Sequence, residues 1–209
     1  MHLKVLLTIH RMNKQIEDIK AIREMMEKSS KFTSINGLSL ILAGGFAVAG
    51  GWYARNLQRI HNYDAEALML PLLGVALVIL VLAVGTISVF SYCKARKNHQ
   101  PLFSSITRRA GYNLLVPLAV GGLFSLLMLL RGNIAIVAPL TLIFYGLALI
   151  NASKFTFSEI HILGICQVII GLLAAVFLYN GMIFWIIGFG ILHIIFGVIM
   201  YVKYDLKKK

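Results

Sequence analysis

The sequence predicts an all-α polytopic membrane protein: a bundle of six transmembrane helices built as hairpins, preceded by an amphipathic cytoplasmic helix. Three observations predict it. Residues 113–202 are almost wholly apolar, broken only at Arg131-Gly132-Asn133, over 151–161 and at Tyr179-Asn180-Gly181. Each unbroken run approaches or passes the roughly 18 residues that cross a hydrocarbon core about 30 Å thick. The composition, 59% hydrophobic and 13% charged at a mean hydropathy of +0.83, leaves too few polar helices to cover six apolar ones in water. The Lys and Arg residues also gather at the ends of the apolar runs, where membrane orientation puts them.

The first 33 residues form the one substantial polar segment. His2, Val5, Ile9, Met12, Ile16, Ile19 and Met26 recur mostly at intervals of three and four, with Arg23 breaking the stripe. That spacing predicts an amphipathic helix. Lys20 with Glu24, and Glu24 with Lys28, stand four apart and add a few tenths of a kcal/mol each. Two uses fit. The helix lies along the inner membrane surface with its stripe among the headgroups, or residues 2–31 dock a cytoplasmic protein partner or a second copy of the chain.

Polar residues from Ser29 to Asn36 offer several helix caps before the first span. The transmembrane domain, 34–202, is expected to hold spans over 37–54, 68–92, 113–130, 134–150, 160–179 and 182–202, followed by a basic tail over 203–209. In the first span, Ala43, Ala47 and Gly51 recur every four residues, a small face that admits another helix closely. Trp52 and Tyr53 mark its far interface. Pro71 is expected in the first turn of the second span, where it is tolerated. Pro117 and Pro139 kink their spans unless they too fall in a first turn.

Orientation follows from charge. With the amino terminus cytoplasmic, seventeen of the twenty Lys and Arg residues fall in inner segments and three in outer ones. This bias predicts six spans in a cell inner membrane with both termini cytoplasmic. It also accounts for the net charge of +12, so no nucleic acid is expected as a partner. No cleavable signal peptide is expected, because the apolar run Val5–Ile9 is too short. Cys93 and Cys166 are far apart and form no CxxC, which argues against a disulfide framework. A shift of 49 residues lays Gly122 on Gly171 and Gly132 on Gly181, a weak parallel repeat of two hairpins.

Ile16-Glu17-Asp18-Ile19, then Ile22 through Phe32, and on through Ser34 to Gly44-Gly45, resemble an uncharacterised family of small integral membrane proteins found in Bacteroidota. The resemblance extends through all six spans and implies that fold, but no activity, ligand or catalytic residue. The glycine-punctuated hairpins also faintly resemble HdeD-type six-span proteins, on hydrophobic pattern alone.

Catalytic chemistry is not legible. There is no dinucleotide-binding GxGxxG, Walker loop, HExxH or GxSxG. Ser125 and Thr141 stand singly in spans, where such hydroxyls usually bond their own backbone. His61, Asp64 and Glu66 match no metal spacing and read as a solvated loop. The chain is therefore expected to be no enzyme and to hold no cofactor. Lys94, Arg96, Lys97, Arg108 and Arg109 are expected to meet lipid headgroups, or simply to set orientation. Within the spans the one candidate polar pair is Gln167 and His193. Each lies thirteen residues from Asn180, hence at matching depth about 20 Å below the turn. Gln167 shares a stripe with Gly164, Gly171 and Ala174, and His193 with Gly190 and Gly197, so the pair is expected to close the last hairpin, by packing or around a bound solute. Two functions follow: interaction or regulation through the cytoplasmic helix, or passage of a small neutral or weakly polar solute.

Overall fold

The computed structural model describes Ile19 and residues 36–62, 64–97 and 105–206. The chain divides into two units, Met1–Lys31 and Phe32–Lys209. The expected amphipathic helix lies outside the described residues. Those of the second unit form an all-α multi-pass fold, with six helices long and apolar enough to cross a membrane.

Helix α1 (Gly37–Ile60) begins where Asn36 accepts the Leu38 N–H on its side chain at 2.9 Å. It closes at His61, with Asn62 in the left-handed region at φ 47°, which Asn tolerates. Helix α2 (Ala65–Lys97) is capped by Asp64, whose Oδ1 accepts the Glu66 N–H at 3.1 Å. Asp64 thus has a structural role at the joint. Pro71 falls in the second turn of this helix rather than the first, because α2 starts three residues before the expected span.

Helix α3 (Ser105–Leu130) starts eight residues before the apolar run at 113 and takes in Arg108 and Arg109. The physical reason is general: a backbone ladder continues into polar residues where the hydrocarbon ends, so a helix outlasts its apolar span. The helix stops in a Schellman turn, with Gly132 N–H on Leu129 O and Asn133 N–H on Met128 O, both at 2.9 Å. Gly132 holds φ 76°, which costs glycine nothing.

Helix α4 (Ile134–Ser153) opens with a 3-10 turn, Ile134–Ile136, and Pro139 falls in the first turn of its α-helical part. Helix α5 is Ser158–Val176. Helix α6 (Leu178–Asp205) is irregular: a 3-10 turn, an α segment, a π-helical stretch over Ile186–Leu192, α again over His193–Met200, and a second π stretch over Tyr201–Asp205.

The small residues determine which helices meet. A Cβ on Gly44 would come within 2.7 Å of Gly190 O, and one on Gly197 within 2.9 Å of Gly37 O, so α1 and α6 cross backbone to backbone. A Cβ on Gly146 would meet Gly164 O at 2.7 Å, so α4 and α5 cross in the same way. The α1–α6 and α4–α5 contacts are the two most extensive between helices, both ahead of that between α5 and α6. The glycine stripes of α5 and α6 therefore serve α4 and α1 respectively, which corrects their expected role of closing the last hairpin on itself. At these two crossings the smallest side chains face the neighbouring backbone.

Helix α2 is peripheral. Only 6% of its apolar stretch is buried in the protein, against 44% of that of α1. A core of Leu40, Leu149, Phe157, Ile160, Leu163 and Met200 fills one end of the bundle, with Leu114 of α3 packed against it.

Candidate functional site

Two polar constellations stand out, one in the centre of the bundle and one at its end. Gln167 is fully buried on α5 and His193 nearly so on α6. Between them lies the carbonyl of Gly188, inside the first π stretch. A π turn loosens the backbone ladder locally, and a glycine has no side chain to cover its own carbonyl. Gln167 Nε2 donates to Gly188 O at 2.8 Å, and His193 Nδ1 donates to the same oxygen at 3.0 Å. A carbonyl can only accept, so Nδ1 carries the ring proton and Nε2 is left as an acceptor. Tyr145 of α4 supplies the donor: its hydroxyl lies 2.8 Å from His193 Nε2.

The expected pair is thus brought together across α5 and α6, chiefly through the shared Gly188 carbonyl. Gln167 Nε2 and His193 Nδ1 are 3.5 Å apart, and both are donors already directed at Gly188 O. A side chain at 188 would strike Gln167 Oε1 at 2.6 Å, so the network also requires the glycine. The Phe189 ring packs on Tyr145 at 4.9 Å and on Trp185 at 4.8 Å between centroids, walling the network on one side. Gln167 Oε1 has no hydrogen-bond donor among the described residues.

Sequence reasoning missed Tyr145. The same depth rule finds it: Tyr145 and Gln167 lie roughly ten residues to either side of the short loop between α4 and α5. Phenol hydroxyls buried among apolar side chains usually find a partner.

The second constellation joins four helix ends. Asp205, at the end of α6, accepts the Gly37 N–H on Oδ2 at 2.9 Å and the Lys94 ammonium on Oδ1 at 2.7 Å. It thus caps the positive end of the α1 dipole while pairing with the last turn of α2. Beside it, Glu159 in the first turn of α5 takes Lys203 of α6 on Oε1 and the Tyr204 hydroxyl at 3.0 Å. Tyr204 in turn packs on Phe157 with ring centroids 4.3 Å apart.

Lys94 was expected at lipid headgroups. The structure instead ties its ammonium to Asp205, with 12% of each side chain exposed. Arg96, Lys97, Arg108 and Arg109 are exposed at the end of α2 and the start of α3. Among the described residues no three His, Cys, Asp or Glu side chains converge to hold a metal ion. The His193 ring nitrogens are both engaged, and Ser153 Oγ, 3.2 Å from His161 Nδ1, donates to Ile150 O.

Fold and sites together define a multi-pass helical membrane protein with a hydrogen-bonded polar centre and an ionic clamp across one end. No protein-family model, curated protein or solved structure matches the chain.

Proposed function

We propose that this is a non-enzymatic inner-membrane protein that acts by protein–protein interaction or regulation through residues 2–31. In this reading both termini are cytoplasmic, the spans are arranged as hairpins, and the first segment is an amphipathic helix. The carrying observation is the contact of Asp205 with Gly37. The amino-terminal segment enters the bundle at Asn36–Gly37, and the backbone N–H at that point is held by a carboxylate that also holds Lys94. A partner that turns or pulls the segment therefore acts directly on the ends of α1, α2 and α6. The adjacent Glu159–Lys203 pair carries the same displacement to α5. The inner location of seventeen of the twenty Lys and Arg residues supports the orientation. The exposed Arg96, Lys97, Arg108 and Arg109 then lie at the level of anionic headgroups on the cytoplasmic side.

The test is the double substitution Ile9→Asp with Ile16→Asp, with complexes recovered from native membranes before and after. Loss of a stoichiometric partner, or of a second copy, with the protein still at normal level in the membrane is the expected result. An unchanged partner set, oligomeric state and membrane attachment of the segment would sink the proposal.

The unpartnered Gln167 Oε1 favours a second reading, a facilitator for a small neutral or weakly polar solute. Here a hydrogen-bond donor on the solute pairs with Gln167 in transit. His193→Phe then abolishes flux in proteoliposomes while the amount of protein is maintained; undiminished flux counts against it.

A further inference from the structure

At the end of the bundle opposite the clamp, the turns before α4 and at the start of α6 come together. Between them lies an open crevice of about 460 Å³, lined by Phe124 and Met128 of α3, Ile136 and Leu140 of α4, and Leu178 of α6. Asn133 is its one polar lining residue. That volume falls within the roughly 300–1,000 Å³ of small-ligand sites.

We propose that this crevice binds one acyl chain of a membrane phospholipid, with Asn133 meeting its ester region and Arg131 its phosphate. Three observations carry the assignment. The crevice gives onto a flank of α3 where Leu123, Phe124, Leu127 and Leu130 are all exposed, so in a membrane its mouth faces hydrocarbon. Water is a poor occupant, because it needs two to four polar partners and the lining offers one. The rim is built for a headgroup. The Schellman turn projects Arg131 and Asn133 past the end of α3, the Asn133 side chain makes no capping bond, and no carboxylate pairs with Arg131 among the described residues. An arginine at the interface keeps its stem in the apolar zone and its guanidinium at phosphate level, where it bonds in bidentate fashion.

The crevice belongs to neither the clamp nor the polar centre, and the proposal does not depend on either reading of function. The test uses the full chain in nanodiscs of phosphatidylethanolamine doped with phosphatidylglycerol that carries a diazirine on one acyl chain. After photolysis, adducts are mapped by peptide. The exposed face of α2 at Leu77, Val78, Val81 and Val89 supplies the reference for bulk lipid. Adducts several-fold denser over residues 124–140 than on α2 are expected. Ala135 also lines the crevice; Ala135→Trp, which fills it, and independently Leu178→Trp, should reduce the crevice adducts to the α2 density while leaving the α2 adducts unchanged. Arg131→Gln should remove any preference for phosphatidylglycerol over an equally labelled phosphatidylethanolamine. Crevice adducts no denser than those on α2 would overturn the site, as would adducts that persist in both Trp variants when these elute as native, monodisperse protein. An unaltered headgroup preference in Arg131→Gln would overturn the assignment of the phosphate contact.

Discussion

Tyr145 on α4 donates its hydroxyl to His193 Nε2 on α6 across 2.8 Å, and this contact determines the chemistry of the polar centre. It fixes the imidazole in the tautomer that donates from Nδ1, which in turn lets Gly188 O hold both His193 and Gln167. Three helices meet through one carbonyl and one ring.

The first prediction concerns that network. Tyr145→Phe leaves a buried imidazole nitrogen without a donor and should cost about 1–2 kcal/mol. His193→Phe should cost at least as much, since it removes both of its bonds. Because the two residues act through one contact, the double variant should be less destabilised than the sum of the singles by roughly 0.6–1.7 kcal/mol. Thermal unfolding in detergent measures all three. Strict additivity would show that the contact has no energetic coupling.

Glycine substitutions should separate by position. Gly146→Ala puts a methyl 2.7 Å from Gly164 O and should destabilise by about 1–3 kcal/mol through overpacking. Gly74→Ala and Gly85→Ala on α2 meet nothing within 4 Å and should be neutral or stabilising by up to about 1 kcal/mol, from helix propensity alone. Equal melting temperatures for Gly146→Ala and Gly74→Ala would contradict the α4–α5 crossing.

At the clamp, the outcome depends on which acceptor is lost. Asp205→Asn keeps an oxygen for the Gly37 N–H and loses the charge opposite Lys94, whereas Asp205→Ala loses both. The structure therefore orders stability as native, then Asp205→Asn, then Asp205→Ala, with about 1–3 kcal/mol between the extremes. Lys94→Met should shift stability in the same direction as Asp205→Asn. If Asp205→Ala and Asp205→Asn unfold at the same temperature, the Gly37 cap contributes nothing.

The proposed orientation is tested by single cysteines introduced into a background without Cys93 and Cys166. Labels at His61→Cys, Asn133→Cys and Asn180→Cys should be reached by an impermeant thiol reagent from outside intact cells. Those at His99→Cys and Lys209→Cys should react only after the membrane is opened. An externally labelled Lys209→Cys refutes the both-termini-inside topology.

Much of the site was legible because helical rise is constant. Counting thirteen residues from Asn180 in each direction brought Gln167 and His193 to one depth, and the structure has them around one carbonyl. The count says nothing about azimuth. The π stretch over Ile186–Leu192 alters the phase of α6 and opens Gly188 O to side chains, and no residue type in IIGFGIL signals that change in advance. Tyr145 escaped notice for a simpler reason: it belongs to a different pair of helices from the one whose depth was being matched. At the other extreme, Lys94 looked like one more basic residue of a loop, because its partner lies 111 positions further along the chain.

By itself, then, the sequence determined the class of protein, six helices of membrane-spanning length and the turn at Arg131-Gly132-Asn133. These depend on apolar runs measured against a bilayer thickness, and on local breakers such as Arg131-Gly132-Asn133, so they can be summed residue by residue along the chain. The turn expected at Asn180 falls instead at Phe177, with Asn180 inside the first turn of α6. The tertiary structure alone decided which glycine stripe meets which helix, which nitrogen of His193 donates, and which carboxylate holds the start of α1. Those outcomes depend on contacts within about 3 Å between segments far apart in sequence, and several helices were apolar enough to take each position.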